Sequence, residues 1–548
     1  MSAVRADVAV VGAGPAGLAA AVAAAEAGAS VVVVDSAAQP GGQYWRHRPE
    51  HAVAADGRGH HDWGVYLDLR ARFDAARAAG RIAYLPGRQV WMAQKDDDGF
   101  TLRTTPTVAL APSVSASPAA PPSLSQGDRA ETWPRVGRDV ATRSPGTRGQ
   151  ISHDAWPAPS RPASETAQAG GGTTVVASRL VLCPGGYDRQ LPVPGWDLPG
   201  VMAAGGIQAF IKANGVLPGR RFVVAGTGPF LLPVAANIAE AGGTVVAVLE
   251  SSSPVAWFPH LGAAAGVPGK ALEGVGYAAV FARHRIPYRA RSVVTEVLGE
   301  DRAAGVRWAR VDAAGRVRPA SDRVIEDVDV VGFGWGFTPQ LELPVSLGAA
   351  TRVDADGSLV AVVDARQESS VPGLFLAGEV TGVGGAALAV LEGRAAGAAA
   401  ARAGDSSRAR PSSATATGEA PVLSSPDAAR VARYRHFAEA MHSAHPVPDA
   451  WHEWLTPETT VCRCEEVTAG QIAEARDTLG AADARSLKSF TRAGMGWCQG
   501  RVCGFAASCL GAGGGAHPSE ASLAASAKRP LAAPVSVGEL AALEPSDH

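Results

Sequence analysis

The sequence predicts an α/β protein. Two strand–glycine turn–helix–strand units precede a small helical unit built around cysteines. Three observations carry this. Near the N-terminus, "VAVVGAGPAGLAAAVAAAEAGASVVVVD" places a β-branched strand, a glycine turn, an alanine-rich helix and a second strand in order. A later run, "RRFVVAGTGPFLLPVAANIAEAGGTVVAVLE", repeats the design. Four of the six cysteines of the chain then fall between Thr460 and Gly504. Strands alternating with helices imply parallel sheets.

The bounds are simple. A chain of 548 residues predicts three or four domains at roughly 150 residues each. The formal net charge of -2 supplies no basic field for nucleic acid. Cysteine is scarce and not spaced as a secreted disulfide framework, which predicts a reducing, cytoplasmic location. Asp7 and the glycines interrupt the apolar N-terminus, so it does not read as a signal peptide. No apolar run approaches the ~20 residues of a membrane span.

Along the chain, residues 1–104 read as the first part of one nucleotide-binding domain. Residues 105–172 are rich in Pro, Ser, Ala, Thr and Arg and lack periodicity. They read as a disordered insertion that the fold can spare. The first domain returns at 173–215, a second nucleotide-binding domain occupies 216–342, and 343–403 completes the first. A linker is expected at 404–427, a helical cysteine-bearing domain at 428–511 and a flexible tail at 512–548.

Gly12, Gly14 and Gly17 hold the G-x-G-x-x-G spacing, and Asp35 ends the second strand. Gly12 permits the tight turn, Gly14 lets backbone approach a pyrophosphate, and Gly17 brings helix and strand close. The helix N-terminus offers N–H groups to phosphate. Asp35 is placed to accept from ribose hydroxyls. Gly41, Gly42 and Gln43 form a second turn just beyond that acid.

With "PGGQ" added, this unit resembles the FAD-binding half of the glutathione-reductase-like flavoproteins, which have two Rossmann-like domains. "RLVLCPGGYDRQLPVPGW" (Arg179–Trp196) is similar to the strand and turn that re-enter that domain. "VPGLFLAGEVTGVGGAALAVLEGRAAG" (Val371–Gly397) is similar to the late FAD motif. The resemblance implies non-covalent FAD held by Gly12, Gly14, Gly17, Asp35, Gly42, Gln43, Gly378 and Glu379. That family usually carries Asp where Glu379 stands. Its disulfide reductases also carry a redox C-x-x-C pair, which this chain lacks. Disulfide chemistry at the flavin is therefore not expected, and Cys183 reads as a buried core residue.

In the second unit Gly226 and Gly228 supply two glycines, Leu231 takes the third place, and Glu250 ends the strand. A carboxylate there disfavours a 2′-phosphate by up to about 3 kcal/mol at ~5 Å. NAD is therefore favoured over NADP. Leu231 leaves three outcomes: ATP, NAD or an empty, vestigial turn.

Cys462-x-Cys464 is followed after 33 residues by Cys498-x4-Cys503. Four thiolates suit a [2Fe–2S] cluster or Zn²⁺. A metal-free remnant is the third reading. The C-x-C pair is tight for a zinc knuckle. Gly494, Gly496, Gly500 and Gly504 free N–H groups to turn toward sulfur. Cys509 reads as a buried helix thiol.

"CRCEEVT…KSFTRAGMGWCQGRVC" resembles the bacterioferritin-associated-ferredoxin-like [2Fe–2S] domain. More narrowly it resembles the version fused to the α-type subunits of opine oxidases, hydrogen cyanide synthase and dye-linked (hydroxy)proline dehydrogenases. The resemblance implies a respiratory acceptor, a partner that is an amine-oxidising flavoprotein subunit, and a small ferredoxin-like subunit. It implies an electron relay through FAD and [2Fe–2S] during oxidation of an amino acid, imino acid or opine. Two alternatives stand beside it, a self-contained NADH-dependent flavin/iron–sulfur reductase and a nucleotide-binding assembly protein without turnover. No acid/base constellation is visible; His47, His60 and His61 after the second turn either line a site near the flavin or, as the commoner case, are solvated loop histidines.

Overall fold

The structure, a computed structural model, describes residues 3–50, 57, 59–107, 172–405, 424–481, 483–515, 517–529 and 531–541. The expected insertion and linker lie outside the described residues except at their ends. The chain begins with β1 (Val4–Val11), α1 (Pro15–Glu26), β2 (Val31–Val34), α2 (Trp63–Ala78) and β3 (Ile82–Leu85). β4 (Arg88–Lys95), β5 (Phe100–Pro106), β6 (Thr173–Leu182) and β7 (Gly186–Asp188) follow. Then come β8 (Val201–Ala203), α3 (Ala204–Asn214), β9 (Arg221–Gly226), α4 (Leu231–Glu240) and β10 (Thr244–Glu250). α5 (Leu261–Ala265), α6 (Pro268–His284), β11 (Tyr288–Ala290), β12 (Ser292–Leu298), β13 (Gly305–Arg310) and β14 (Arg323–Glu326) continue the chain. β15 (Val330–Gly334), β16 (Phe337–Pro339), α7 (Glu342–Ser346), β17 (Thr351–Val353), β18 (Leu359–Ala361) and β19 (Leu374–Leu376) lead to α8 (Ala386–Asp405). The C-terminal part holds α9 (Ser425–Ala444), β20 (Thr460–Cys462), β21 (Val467–Thr468), α10 (Ala469–Asp477), α11 (Ala484–Thr491), α12 (Gly504–Gly511), α13 (Glu520–Ala527) and α14 (Val537–Ala541).

The first sheet runs β3-β2-β1-β6-β5-β4, with β19 also on β6. β1 lies between β2 and β6 and is parallel to both. Its Val8, Ala9 and Val10 are wholly buried, as an apolar run covered on both faces requires. β5 pairs with the first half of β6 and β19 with its end, at Leu180–Leu182. The late FAD-like segment therefore enters beside the first glycine turn. α1 is rich in alanine, seven of its twelve residues, because α8 lies on it backbone to backbone. A Cβ on Gly393 would stand 2.0 Å from Ala16 O, and one on Gly397 2.1 Å from Ala20 O.

The second sheet is β11-β10-β9-β15-β8, joined in parallel throughout. β8 and α3 belong to it, which differs from the expected return to the first domain over 173–215. Ala204 and Ile207 are wholly buried in the core of the second sheet with Phe222 and Leu231, so the crossover comes at β7. β7 itself pairs with β16, and the two strands make the antiparallel hinge between the sheets. β12, β13 and β14 form a separate antiparallel sheet.

The expectation of a flexible tail over 512–548 is corrected for its described part. Leu523 of α13 is buried. Ala532 N–H donates to Trp91 O at 2.7 Å and Gln89 Nε2 donates to Pro534 O at 3.2 Å, so this segment lines the edge of β4. Its small, low-complexity residues hide that packing in the sequence. Among the described residues no helix is long and apolar enough to cross a membrane.

Candidate functional site

The first glycine turn is built by steric necessity. Gly12 has φ +95°, and a Cβ there would stand 2.3 Å from Cys183 O. A Cβ on Gly17 would stand 1.8 Å from Gly12 O. These two glycines serve the protein's own packing. Gly14 differs. Its nearest neighbour to an added Cβ is Gly42 Cα, at 3.8 Å, so the space beside it is open. Gly41 N–H donates to Ala13 O at 2.9 Å and brings the "PGGQ" turn over this opening. Gln43 is exposed at the rim. α1 begins at Pro15, so its N-terminus faces the same opening.

Asp35 closes one end. It is buried, and burial pushes its carboxyl up to about 6 against hydrogen bonds from the backbone of Ala13, Ala37 and Ser36. The Tyr84 hydroxyl donates to Asp35 Oδ2 at 3.4 Å. Arg46 stands within electrostatic reach of Asp35, and its Nε is buried without a partner. At the other end Glu379 is part-exposed as a residue, yet its Oε2 is buried without a partner. Burial pushes this carboxyl up to about 7. A cleft with an open glycine floor, a helix N-terminus and unpaired polar atoms at both ends fits an extended dinucleotide such as FAD.

Gly378, before Glu379, has φ +82° and donates its N–H to Glu392 Oε2 at 3.0 Å. Glu392 is fully buried and ion-paired with Arg435 of α9, which also donates to Thr381 Oγ1 at 2.6 Å. Arg46, Glu392 and Arg435 were missed in the sequence. The legible signal was Glu392, a lone acid in the apolar, small-residue run "ALAVLEGRAAG". The three histidines are not solvated loop residues. His47 is buried with Nδ1 2.7 Å from Trp45 O, His60 Nε2 lies 2.6 Å from Arg46 O, and His61 bonds the Tyr277 hydroxyl. They fix the loop after the second turn.

The second glycine turn is wider. Gly226 must be glycine, since a Cβ would stand 1.9 Å from Gly334 O. α4 starts only at Leu231, whose side chain is wholly buried in the core. Glu250 is 1% exposed and already accepts from Gly228 N and Ser252 N, both at 3.0 Å. His445, just after α9, places Nδ1 3.6 Å from Glu250 Oε1, while Trp257 Nε1 donates to its Nε2 at 2.9 Å.

The four cysteines converge. Their side chains lie within electrostatic reach of one another in a row, Cys464 beside Cys498, Cys498 beside Cys503, and Cys503 beside Cys462. Contact with Cys503 pulls Cys462 down to about 6 and lowers Cys498 as well; backbone N–H groups of Gly494 and Gly500 act the same way. Gly494 and Gly500 have φ +83° and +77°, which turns those N–H groups inward. Among the described residues no three His, Cys, Asp or Glu side chains surround a single ion position. A row of four ionisable thiols with inward N–H donors has the donor chemistry of a two-iron core. Cys183 and Cys509 are buried apart from it, and burial pushes Cys509 up to about 12.

Comparison with known proteins agrees. Residues 6–404 match the pyridine nucleotide-disulphide oxidoreductase family, and residues 460–508 match the BFD-like [2Fe-2S] binding domain. The chain is 30% identical over 506 residues to an opine oxidase subunit of Agrobacterium tumefaciens (strain Ach5), covering 91% of this chain and 84% of that one. It is 32% identical over 326 residues to the HcnB subunit of hydrogen cyanide synthase of Pseudomonas aeruginosa, covering 60% of this chain and 68% of that one. In fold it is similar to the crystal structure of L-proline dehydrogenase from P. horikoshii, with TM-score 0.61 and 15% identity over 98% of this chain and 80% of that one. The chain therefore belongs to the pyridine nucleotide-disulphide oxidoreductase family, as an FAD-dependent oxidoreductase subunit carrying a C-terminal BFD-like [2Fe–2S] domain, together with these opine oxidase and hydrogen cyanide synthase subunits.

Proposed function

We propose that this chain is the electron-relaying subunit of a heteromeric cytoplasmic enzyme that oxidises an amino acid, imino acid or opine. An amine-oxidising flavoprotein partner carries out the C–N oxidation, and electrons leave for a respiratory acceptor, with a small ferredoxin-like subunit completing the assembly. The observation that carries the reading is the row of four thiols in the same chain as the FAD cleft, joined to it through β7. Bound FAD would supply the exchange between electron pairs and single electrons that a two-iron centre requires.

The residues take these roles. Gly12, Gly14 and Gly42 leave room for the pyrophosphate at the N-terminus of α1, and Gly17 seats that helix. Asp35 accepts from the ribose hydroxyls. Gly378 and Glu379 meet the ribitol end, and Gln43 borders the cleft. Cys462, Cys464, Cys498 and Cys503 ligate the cluster. Gly226, Gly228 and Glu250 hold an adenine nucleotide, ATP or NAD, without rapid hydride transfer. His445 partly covers Glu250, which weakens the hold on the nucleotide and favours the reading without rapid hydride transfer.

The test is anaerobic reduction of the purified chain, alone and with its co-purified partner. Substrate should reduce the flavin only when the partner is present, and NADH should leave it oxidised on the timescale of turnover. Rapid bleaching of the isolated chain by NADH would establish the self-contained reductase instead. Nucleotide retained without any reducible flavin would establish the assembly protein.

A further inference from the structure

Arg501 stands inside the gap between Cys498 and Cys503, and only 15% of its side chain is exposed. Its Nε donates to the Tyr187 hydroxyl at 2.7 Å and lies 2.9 Å from Glu342 Oε1. Nη1 donates to Gln499 Oε1 at 2.9 Å and Nη2 to Ala532 O. The guanidinium also lies over the Tyr187 ring, 5.6 Å from its centroid. Tyr187 is the middle residue of β7, four residues after Cys183, the residue whose carbonyl packs on Gly12. One short segment thus touches the FAD cleft at one end and the second cysteine pair at the other.

A second cation backs the first. Arg529 Nη2 stands 3.2 Å from where a Cβ on Gly500 would be, and its Nε is buried without a partner. Glu342 is the carboxylate that faces both guanidiniums. Two cations and one anion leave a net positive charge beside Cys498, in a place where solvent screens poorly. The first pair is different. Arg463 lies between Cys462 and Cys464 but is exposed, over the ring of Trp196, and Cys464 is exposed too. Cys462 is buried, but the charge of Arg463 itself is screened by water and salt.

We propose that Arg501 is a positioning residue that docks the second cysteine pair on β7 through Tyr187 and, with Arg529, raises the reduction potential of the cluster. This rests on Cys498 and Cys503 being ligands. Reduction adds one electron to a core already made negative by its thiolates, and a fixed cation stabilises the more negative state more. Arginine keeps its charge throughout, so the step takes up no proton there. The buried carboxylate of Glu342 acts with the opposite sign.

The test uses the full-length chain purified anaerobically with its flavin and iron. Cluster reduction is titrated with dithionite and mediators and read by absorbance and spin resonance. Arg501→Gln should keep FAD and about two irons per chain and make the cluster at least about tenfold harder to reduce, a downward shift of about 59 mV for one electron. Arg501→Lys should restore most of that shift. Glu342→Gln should move the potential upward, Tyr187→Phe should lower it by less than Arg501→Gln, and Arg463→Gln should leave it in place. An unchanged potential in iron-replete Arg501→Gln overturns the proposal. So does a downward shift in Glu342→Gln, which would mark general loosening. If Arg501→Gln loses iron, Arg501→Lys decides: loss there too reduces Arg501 to a scaffold and overturns the proposal, while retained iron and potential support it. Retention of the cluster by Cys498→Ala would instead sink the ligand assignment beneath it.

Discussion

A Cβ added to Gly42 would stand 2.7 Å from the Cα of Gly14, so the two turns that flank the FAD cleft touch backbone to backbone. The same criterion separates glycines that the fold itself requires from Gly14, beside which the space is open. Gly12→Ala meets Cys183 O and should cost several kcal/mol of stability, of the order seen for the most severe core substitutions. Gly14→Val meets little of the protein. It should fold with an unchanged circular dichroism spectrum and lose at least about tenfold in FAD affinity, roughly 1.4 kcal/mol. Flavin content equal to wild type in purified Gly14→Val would remove Gly14 from the pyrophosphate site.

Asp35 gives the cleft a pH dependence of definite sign. Its carboxyl sits at about 6 in the folded chain, above an ordinary carboxyl. Between about pH 4 and 6 the fold therefore binds more protons than the unfolded chain, and the contribution of this residue to stability falls as pH rises through that window. Ribose hydroxyls favour the ionised form, so FAD binding should release a proton. Affinity of the flavin-free protein for FAD should weaken below about pH 6, by up to about tenfold per pH unit for one group. Asp35→Asn should remove about one proton from that slope. An identical slope in the variant would assign the linkage elsewhere, with Glu379 next in line.

His445 Nδ1 lies 3.6 Å from Glu250 Oε1 at the second glycine turn, where an adenine nucleotide is proposed. Removing the imidazole in His445→Ala frees the outer side of Glu250 and should tighten adenine nucleotide binding in calorimetry. NADP should remain the weakest of ATP, NAD and NADP in both proteins. If NADP binds most tightly, the Glu250 argument fails. If no nucleotide binds either protein, the turn is vestigial.

Cys498→Ala should lose the iron and keep the FAD, because thiol row and glycine cleft draw on different elements. Cys183→Ala and Cys509→Ala should retain about two irons and two acid-labile sulfides per chain. Zinc in place of iron, without sulfide, in anaerobically prepared wild-type protein would end the relay reading.

Much of this was legible because backbone geometry needs glycine and strands need β-branched residues. Gly12, Gly17 and Gly226 each stand where a Cβ would meet a carbonyl oxygen. Spacing exposed them without any knowledge of the partner atom. Glu392 left one trace, as a lone acid in an apolar run, whereas Arg46, Arg435 and Arg501 left none. Their roles come from contacts across tens to hundreds of residues, such as Arg501 to Tyr187, and local pattern carries no trace of such pairs. The C-terminal residues 517–541 were misread for a related reason. Small residues look featureless in sequence, and Ala532 packs on Trp91 by a backbone bond that any residue but proline can make.

The pairing of Thr104 with Thr173 has a consequence for tolerance to change. Beyond that rung β5 continues through Thr105 and Pro106 on Gln89 and Arg88 of β4, and Thr107 N–H donates to Gly87 O at 2.7 Å, so the described chain before and after the intervening stretch is held on adjacent strands of one sheet. The entropy of such a closed loop grows only with the logarithm of its length, about 0.6 kcal/mol for each doubling. Replacing the stretch between Thr107 and Gly172 by a short glycine–serine bridge should therefore leave flavin and iron content unchanged, and loss of folding in that variant would show the stretch to be structural.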